Sequence, residues 1–332
     1  MIVNTVSNYE NLSLISSYFD KTITEYSNSK IEYIGGGAFY KCTQLSTVSI
    51  PKCRKIYPIA FRTCTVLESI YCPECEYIGE NAFNGCSSRL SSVSFPNCSF
   101  VGNYAFHQCY MLSSAYFPAC EYVGNYAFRY TSNLSIASFP KCEYIGRNAF
   151  YSCSSLTTVS FPNVTQVDYG AFLYCSNLQN IYMPKLQTLG EYGLQRTGIS
   201  SVYFPECLEL SMYAITICSS LTTVNLPKCS SVETYAFWSN ASLSIVSLPK
   251  CVYIGSSAFR SCYNLISLYL TSVTAVPTLG ANAFTYTPIS TYSSYAGRYG
   301  SVYVPASLYS EFLTAPIWSY YSSRIVSVED LT

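Results

Sequence analysis

The chain has 332 residues, of which 49% are hydrophobic and only 11% are charged, and its 18 basic and 18 acidic residues cancel. A chain without net charge is not expected to bind nucleic acid or an anionic membrane through charge. No apolar stretch reaches the length of a membrane span, so membrane insertion is not expected either.

Residues 1–30 differ from the rest of the chain, and we assign them as an N-terminal cap. Residues 1–7 have neither a positively charged n-region nor an apolar h-region, so no signal peptide is seen and a cytoplasmic or virion-associated location is expected. Ile23 and Tyr26 could form a degenerate first strand. A cap is expected because an open end would expose both the core and a strand edge.

A single unit recurs from residue 31 to residue 273. Its clearest copy, residues 142–162, reads CEYIGRNAFYSCSSLTTVSFP. The closing proline returns in steps of 21 to 23 residues, at Pro51, Pro73, Pro96, Pro118, Pro140, Pro162, Pro184, Pro205, Pro227 and Pro249. A period of this size is typical of a solenoid.

Apolar residues within the unit follow the L-x-x-L-x-L-x-x-N/C spacing of leucine-rich repeats. The residues concerned are Leu156, Val159, Phe161 and Val164. Val159 and Phe161 alternate with Thr158 and Ser160, which predicts a short strand with one face buried and the other exposed.

The segment before this strand is predicted to be a turn that faces it across the core. Phe150 and Cys153 are three residues apart, a spacing that places two side chains on one face of a helical or 3₁₀ turn. A glycine recurs at the position of Gly146, where the backbone takes positive φ or passes close to its neighbour. The sequence thus predicts an α/β-type repeat solenoid, a leucine-rich repeat with short parallel strands and short helical or 3₁₀ turns, of about 11–12 coils of 22 residues.

Residues 274–332 are predicted to be a degenerate repeat followed by a C-terminal cap. Residues 301–305 read as a strand, residues 306–313 as a helix and residues 325–328 as a final strand. Residues 290–300, rich in Ser, Tyr and Gly, are expected to protrude as a loop.

Seventeen cysteines raise the question of disulfides or a metal site, and their register favours core packing instead. Eight lie three residues after the Phe position: Cys42, Cys64, Cys86, Cys109, Cys153, Cys175, Cys218 and Cys262. Eight lie two residues after the proline: Cys53, Cys75, Cys98, Cys120, Cys142, Cys207, Cys229 and Cys251. Cys72 forms a C-x-x-C pair with Cys75, which we interpret as a coincidence of register because no second pair or histidine completes a zinc or redox site.

The sequence does not predict an enzyme, and no cofactor or metal is expected. His107 is the only histidine, and the three aspartates, Asp20, Asp168 and Asp330, are scattered along the chain. General acid–base or nucleophilic catalysis needs such groups to converge.

The outward positions of the predicted strands are rich in Tyr, Ser, Thr and Asn, a composition typical of binding surfaces. The candidate binding residues are Tyr71, Tyr116, Tyr182, Tyr203, Asn225, Tyr269 and Tyr303. The predicted partner is a protein or a glycan, and residues 290–300 are expected to form a lip at the edge of this binding surface. Tyrosine and threonine also favour strands and pair across them, so strand formation alone is the competing explanation.

The unit I-G-x-x-A-F-x-x-C-x-x-L-x-x-V-x-F-P resembles the BspA-like leucine-rich repeats of bacterial surface and adhesion proteins. The segment from residue 302 to residue 325 resembles the closing segment of short members from gut bacteria and their phages. The resemblance implies a non-enzymatic adhesion or recognition module at the cell surface or outside the cell. The alternative is a structural spacer or assembly subunit, such as a phage tail-associated protein.

Overall fold

The computed structural model describes residues 20–290 and 297–329. Its contacts divide the chain into two compact units, Met1–Phe161 and Pro162–Thr332, and each is described by itself. The predicted lip at residues 290–300 falls largely on residues 291–296, outside the described part. The predicted boundaries at residues 30 and 273 stay predictions.

Both units are built from two kinds of parallel strand. In unit 1 the long strands are Glu25–Ser27, Thr47–Ser49, Ser69–Tyr71, Ser92–Ser94, Ser114–Tyr116, Ile136–Ser138 and Thr158–Ser160. In unit 2 they are Asn180–Tyr182, Ser201–Tyr203, Thr223–Asn225, Ile245–Ser247, Ser267–Tyr269, Ser301–Pro305 and Ile325–Val328. The described residues thus contain fourteen long strands, seven in each unit. This number exceeds the 11 to 12 coils expected, because both predicted caps contribute strands of their own.

A second row consists of two-residue strands. In unit 1 these short strands are Tyr33–Ile34, Lys55–Ile56, Tyr77–Ile78, Phe100–Val101, Tyr122–Val123 and Tyr144–Ile145. In unit 2 they are Gln166–Val167, Thr188–Leu189, Glu209–Leu210, Ser231–Val232, Tyr253–Ile254 and Thr278–Leu279. Equivalent residues pair from repeat to repeat, as Ile34 does with Ile56 and Ile56 with Ile78.

The core of each unit contains phenylalanine rings that stack from one repeat to the next. In unit 1 Phe83, Phe106 and Phe128 lie parallel, with ring centroids 5.0 and 5.1 Å apart. In unit 2 Phe237 and Phe259 stack at 5.2 Å. All five rings are buried. A repeat of about 22 residues therefore buries its apolar face against its neighbours, which one coil could not do alone.

The predicted helical turn is a run of consecutive β-turns. Ala82 and Cys86 each donate their N–H to the carbonyl three residues before, but Phe83 and Gly85 donate theirs to Ala105 and His107 of the next repeat, at 2.8 and 2.9 Å. Since alternate amides bond outside the segment, it cannot close successive 3₁₀ bonds. This row of bonds between repeats, which we call the turn ladder, is a third ladder beside the two rows of strands.

Left-handed backbone marks the turn ladder in every regular repeat. In one repeat Asn148 and Ser152 have φ of 50° and 57°. The recurring glycine two residues earlier, Gly146, does not share this conformation. A Cβ on Gly146 would lie 2.8 Å from the backbone nitrogen of Asn125. Of the two explanations for the glycine, close approach to the preceding repeat is thus the correct one.

The C-terminal segment folds as the sequence predicts, with an α-helix, Tyr309–Thr314, between the last two long strands. 3₁₀ turns at Ala306–Leu308 and Trp318–Arg324 flank the helix. Trp318 is buried and donates its indole N–H to the carbonyl of Pro277 at 2.7 Å. At the other end, Tyr26 is buried in the strand Glu25–Ser27, whereas Ile23 lies outside it.

Candidate functional site

The long strands of unit 2 carry five of the seven candidate binding residues on their outer face. Tyr182 and Tyr203 are 58% and 61% exposed, whereas Asn225, Tyr269 and Tyr303 are partly exposed. Register places Tyr203 opposite Asn225, and Tyr269 opposite Tyr303. The alternation read from the sequence therefore predicted which side chains point outward, while their role in binding stays a prediction.

In unit 1 the face is less aromatic. Tyr71 and Tyr116 are 59% and 50% exposed, and Tyr116 lies opposite Ser94 and Ser138 in the paired strands. Ile136, which the candidate set does not include, is 63% exposed at the other outward position of its strand. The signal in the sequence that could have added it is an apolar isoleucine at an outward position of the strand Ile136–Ser138.

Between residues 180 and 269, the outer face of the long strands in unit 2 carries no charged side chain. From residue 180 to residue 269 the outward positions of the long strands hold Asn, Ser, Thr, Ile and Tyr only. Such a face offers aromatic contact area together with hydroxyl and amide groups. It offers no ion pair to a partner, so salt should have little effect on binding there.

Two aromatic walls and a polar floor form a slot on this face. Asn225 and Ser247 lie between Tyr203 and Tyr269, which are three strand spacings, about 14 Å, apart. Tyr269 stacks against Tyr303 with ring centroids 4.7 Å apart and planes 11° apart. Because Tyr303 covers one face of Tyr269, the other face is turned toward Ser247 and the slot.

The cysteine column after the Phe position bonds consecutive repeats to one another. The thiol of Cys64 donates to the carbonyl of Phe39 at 3.0 Å, and the thiol of Cys86 donates to Phe61 at 3.2 Å. Thr131, which replaces cysteine in the same register, donates to Phe106 at 3.2 Å. The column therefore requires a small hydrogen-bond donor, not only a small side chain.

All seventeen cysteines are buried and free, which confirms the packing interpretation. The C-x-x-C pair follows the same rule, since the Cys72 thiol donates to the carbonyl of Cys53 at 3.2 Å. Hydrogen bonds with the thiols of Cys53 and Cys75, together with burial, hold the pKa of Cys72 well above its usual value. A thiol that stays protonated is a poor nucleophile.

We expect the thiols of the native protein to be inert toward a thiol-exchange reagent such as Ellman's reagent at mildly alkaline pH. Burial raises the pKa of Cys109 and Cys262 to about 12, so their reactive thiolate is scarce as well as shielded. A hydrogen bond with Cys72 lowers the pKa of Cys53, so its protection depends on burial alone. All seventeen cysteines should react once guanidinium unfolds the chain. Rapid modification of even one thiol before unfolding would contradict the buried columns.

The remaining candidates for chemistry do not converge on a site. His107 is half-buried, and burial followed by the nearby charge of Arg129 lowers its pKa. Within residues 20–290 and 297–329, no three His, Cys, Asp or Glu side chains are grouped so that they could hold a metal ion. In the same residues, no helix has the length and apolar character needed to cross a bilayer.

Comparison with known proteins gives a consistent result. A sequence model described as "BspA type Leucine rich repeat region (6 copies)" matches residues 13–135, 99–214 and 207–296. No curated protein matches the chain. A leucine-rich repeat protein from Bacteroides ovatus ATCC 8483 is similar in structure, with a TM-score of 0.56 and 22% identity over 92% of this chain and 84% of that one.

A leucine rich cell surface protein from Faecalibacterium prausnitzii A2-165 also matches, with 19% identity over 96% of this chain and 81% of that one. Its TM-score is 0.43, so no argument rests on it. The likeness to the Bacteroides protein shows the fold alone, a solenoid of stacked parallel strands.

Proposed function

Because the chain belongs to the BspA-type leucine-rich repeat family, we propose that it is a recognition module that binds a protein or a glycan through the outer face of its long strands. Proteins with leucine-rich repeats are generally interaction or surface modules, and their solenoids are generally non-catalytic. Repeat proteins offer extended surfaces on which side chains recur at fixed spacing.

The slot in unit 2 is the observation that carries this proposal. Tyr203 and the stacked pair Tyr269 and Tyr303 supply rigid aromatic area, while Asn225 and Ser247 supply donors and acceptors between them. Tyrosine gives a large contact area at a low entropy cost. The partner of the slot should present an uncharged surface, because the outward positions of the long strands from residue 180 to residue 269 hold no charge to pair with one that is charged.

Replacing Tyr182, Tyr203 and Tyr269 together with serine is expected to weaken binding about tenfold or more, since aromatic anchors dominate contact energies. The probes are an array of neutral oligosaccharides and a display library of peptides without charged residues. The wild-type protein should bind at least one probe with an affinity that salt hardly changes.

The matched control replaces three exposed tyrosines that lie outside the long strands, Tyr174, Tyr263 and Tyr286, with serine. This variant removes the same number of rings and should keep full binding. Equal loss in both variants, or undiminished binding by the first while it remains folded, would reject the strand face as the binding surface.

A further inference from the structure

The turn segments of unit 1 hold a group of aromatic rings around one arginine that the proposed function does not use. Three consecutive repeats supply its members, which we call the Arg129 cluster: Tyr104, His107, Tyr126, Arg129, Tyr130 and Tyr151. The cluster lies on the turn ladder, not on the long strands. Its role is therefore independent of the strand face.

The guanidinium of Arg129 is surrounded by rings. Its central carbon lies 4.6 Å from the ring centroid of Tyr130, 4.9 Å from that of Tyr151 and 5.4 Å from that of Tyr126. Nη2 donates to the Tyr130 hydroxyl at 3.1 Å. Because that hydroxyl accepts a hydrogen bond from the cation, its own hydrogen is left to donate to another group.

Arg129 has no counter-ion among the described residues. The ion pairs of unit 1 there involve Lys52, Arg54 and Arg89 instead. Around the cluster, the charge of Arg62 also acts on His107, and the carboxylate of Glu80 acts on Tyr104. In a chain with no net charge, this is a local excess of positive charge.

Two nitrogen atoms of the cluster are buried without a hydrogen-bond partner in the described part of the chain, Nε of Arg129 and Nδ1 of His107. A buried polar atom left unpaired destabilises the folded protein. The two atoms lie in neighbouring repeats, because Arg129 and His107 occupy the same register position. Nε of Arg129 is therefore an unpaired donor on a cation that has no counter-ion among the described residues, which is what a site for a negatively charged group requires.

We propose that the Arg129 cluster binds an oxyanion, the carboxylate or sulfate group of a ligand whose body packs against the surrounding tyrosines. The guanidinium and the Tyr130 hydroxyl would donate to the oxygens, since charge-assisted bonds of this kind are strong and directional. The exposed parts of the tyrosine rings would contact the rest of the ligand.

His107 makes the test direct, because it is the only histidine and gives a single imidazole signal in the NMR spectrum of the ¹³C-histidine-labelled protein. The probes are sodium acetate, glucuronate and sulfate, with chloride at matched ionic strength and glucose as references. A bound anion stabilises the imidazolium form, so the pKa of His107 should rise with saturation. Chloride and glucose should give no saturable rise. Tighter binding of glucuronate than acetate would identify a sugar acid, and tightest binding of sulfate a sulfated ligand.

Arg129→Gln is expected to weaken oxyanion binding at least tenfold. Arg129→Lys keeps the charge but lacks the planar guanidinium that can donate to two oxygens at once, so it should weaken binding less. Arg260→Gln is the matched control, because Arg260 has the same register position in unit 2 and faces only the ring of Tyr286, at 5.6 Å, among described residues. It should bind as the wild-type protein does. The proposal is overturned if chloride produces the same shift, if no oxyanion saturates, or if both arginine-129 variants respond as the wild type.

Discussion

Replacing Phe106 with alanine is expected to lower the free energy of unfolding of unit 1 by about 3–5 kcal/mol. Phe106 is fully buried and stacks on Phe83 at 5.0 Å and on Phe128 at 5.1 Å, so its removal leaves a cavity between two repeats. Urea unfolding followed by circular dichroism measures the loss. In hydrogen exchange, the amides of Phe83 and Phe106, which bond across these repeats, should lose protection first.

Two further variants serve as controls: one keeps most of the side-chain volume at residue 106 without the ring, and the other removes a stacked ring outside the core. Phe106→Leu should cost less than about 1.5 kcal/mol, because leucine fills most of the volume. Leu194 occupies this register position naturally in unit 2 and is fully buried. Phe100→Ala removes a ring that stacks on Tyr77 at 5.1 Å but is only half-buried, and it should cost about 1 kcal/mol. If Phe100→Ala lowered the free energy of unfolding as much as Phe106→Ala does, the buried Phe stack would not be the main stabilising element of the core.

Gly124→Ala is expected to destabilise the protein by about 1–3 kcal/mol despite adding one methyl group. The new Cβ would lie 2.7 Å from the backbone nitrogen of Asn103 and 2.7 Å from the carbonyl carbon of Gly102. Both atoms belong to the backbone of the preceding repeat, so neither can rotate away. The two repeats would have to separate, which also strains the bond from the Gly124 N–H to the carbonyl of Val101 at 2.8 Å.

Gly36→Ala is the control for this effect. A Cβ at Gly36 would meet the carbonyl oxygen of Pro58 at 3.4 Å, an ordinary contact, and its backbone is not left-handed. Alanine should therefore be neutral there or stabilise by about 0.4–1 kcal/mol, because it restricts the unfolded chain. Thermal unfolding of the two variants side by side tests the contrast. Equal losses at both glycines would rule out close approach as the reason for the recurring glycine.

The period and the inward-facing residues could be predicted because they depend on one repeat and its copies. Val159 and Phe161 are buried while Thr158 and Ser160 are exposed, as the alternation indicates. The prediction of a helical turn is wrong in detail for a physical reason. The spacing of Phe150 and Cys153 suits a 3₁₀ turn and a run of β-turns equally, and only the acceptors of the amides in the next repeat separate the two.

For the candidate site too, the sequence predicted features that depend on one strand but not those that depend on how strands pair. Exposure of Tyr182 and Tyr203 followed from strand alternation, whereas the slot depends on which strands pair and on the stacking of Tyr269 with Tyr303. The Arg129 cluster joins three repeats, so no spacing within one repeat reveals it. A signal for the bonding role of the cysteine column was present, because Thr131 replaces cysteine with another donor.

The turn ladder has a direction. In both units the N–H groups of its Phe positions donate to the repeat that follows, as Phe39 does to Ala60 and Phe237 does to Ala258. If the chain were severed between two repeats, the backbone groups of this row would be N–H donors on one cut surface and carbonyl acceptors on the other. Two surfaces of the same kind could not form these hydrogen bonds with each other, so fragments could rejoin through the turn ladder only head to tail. The direction of the peptide bonds within one repeat would therefore determine how fragments of the protein assemble.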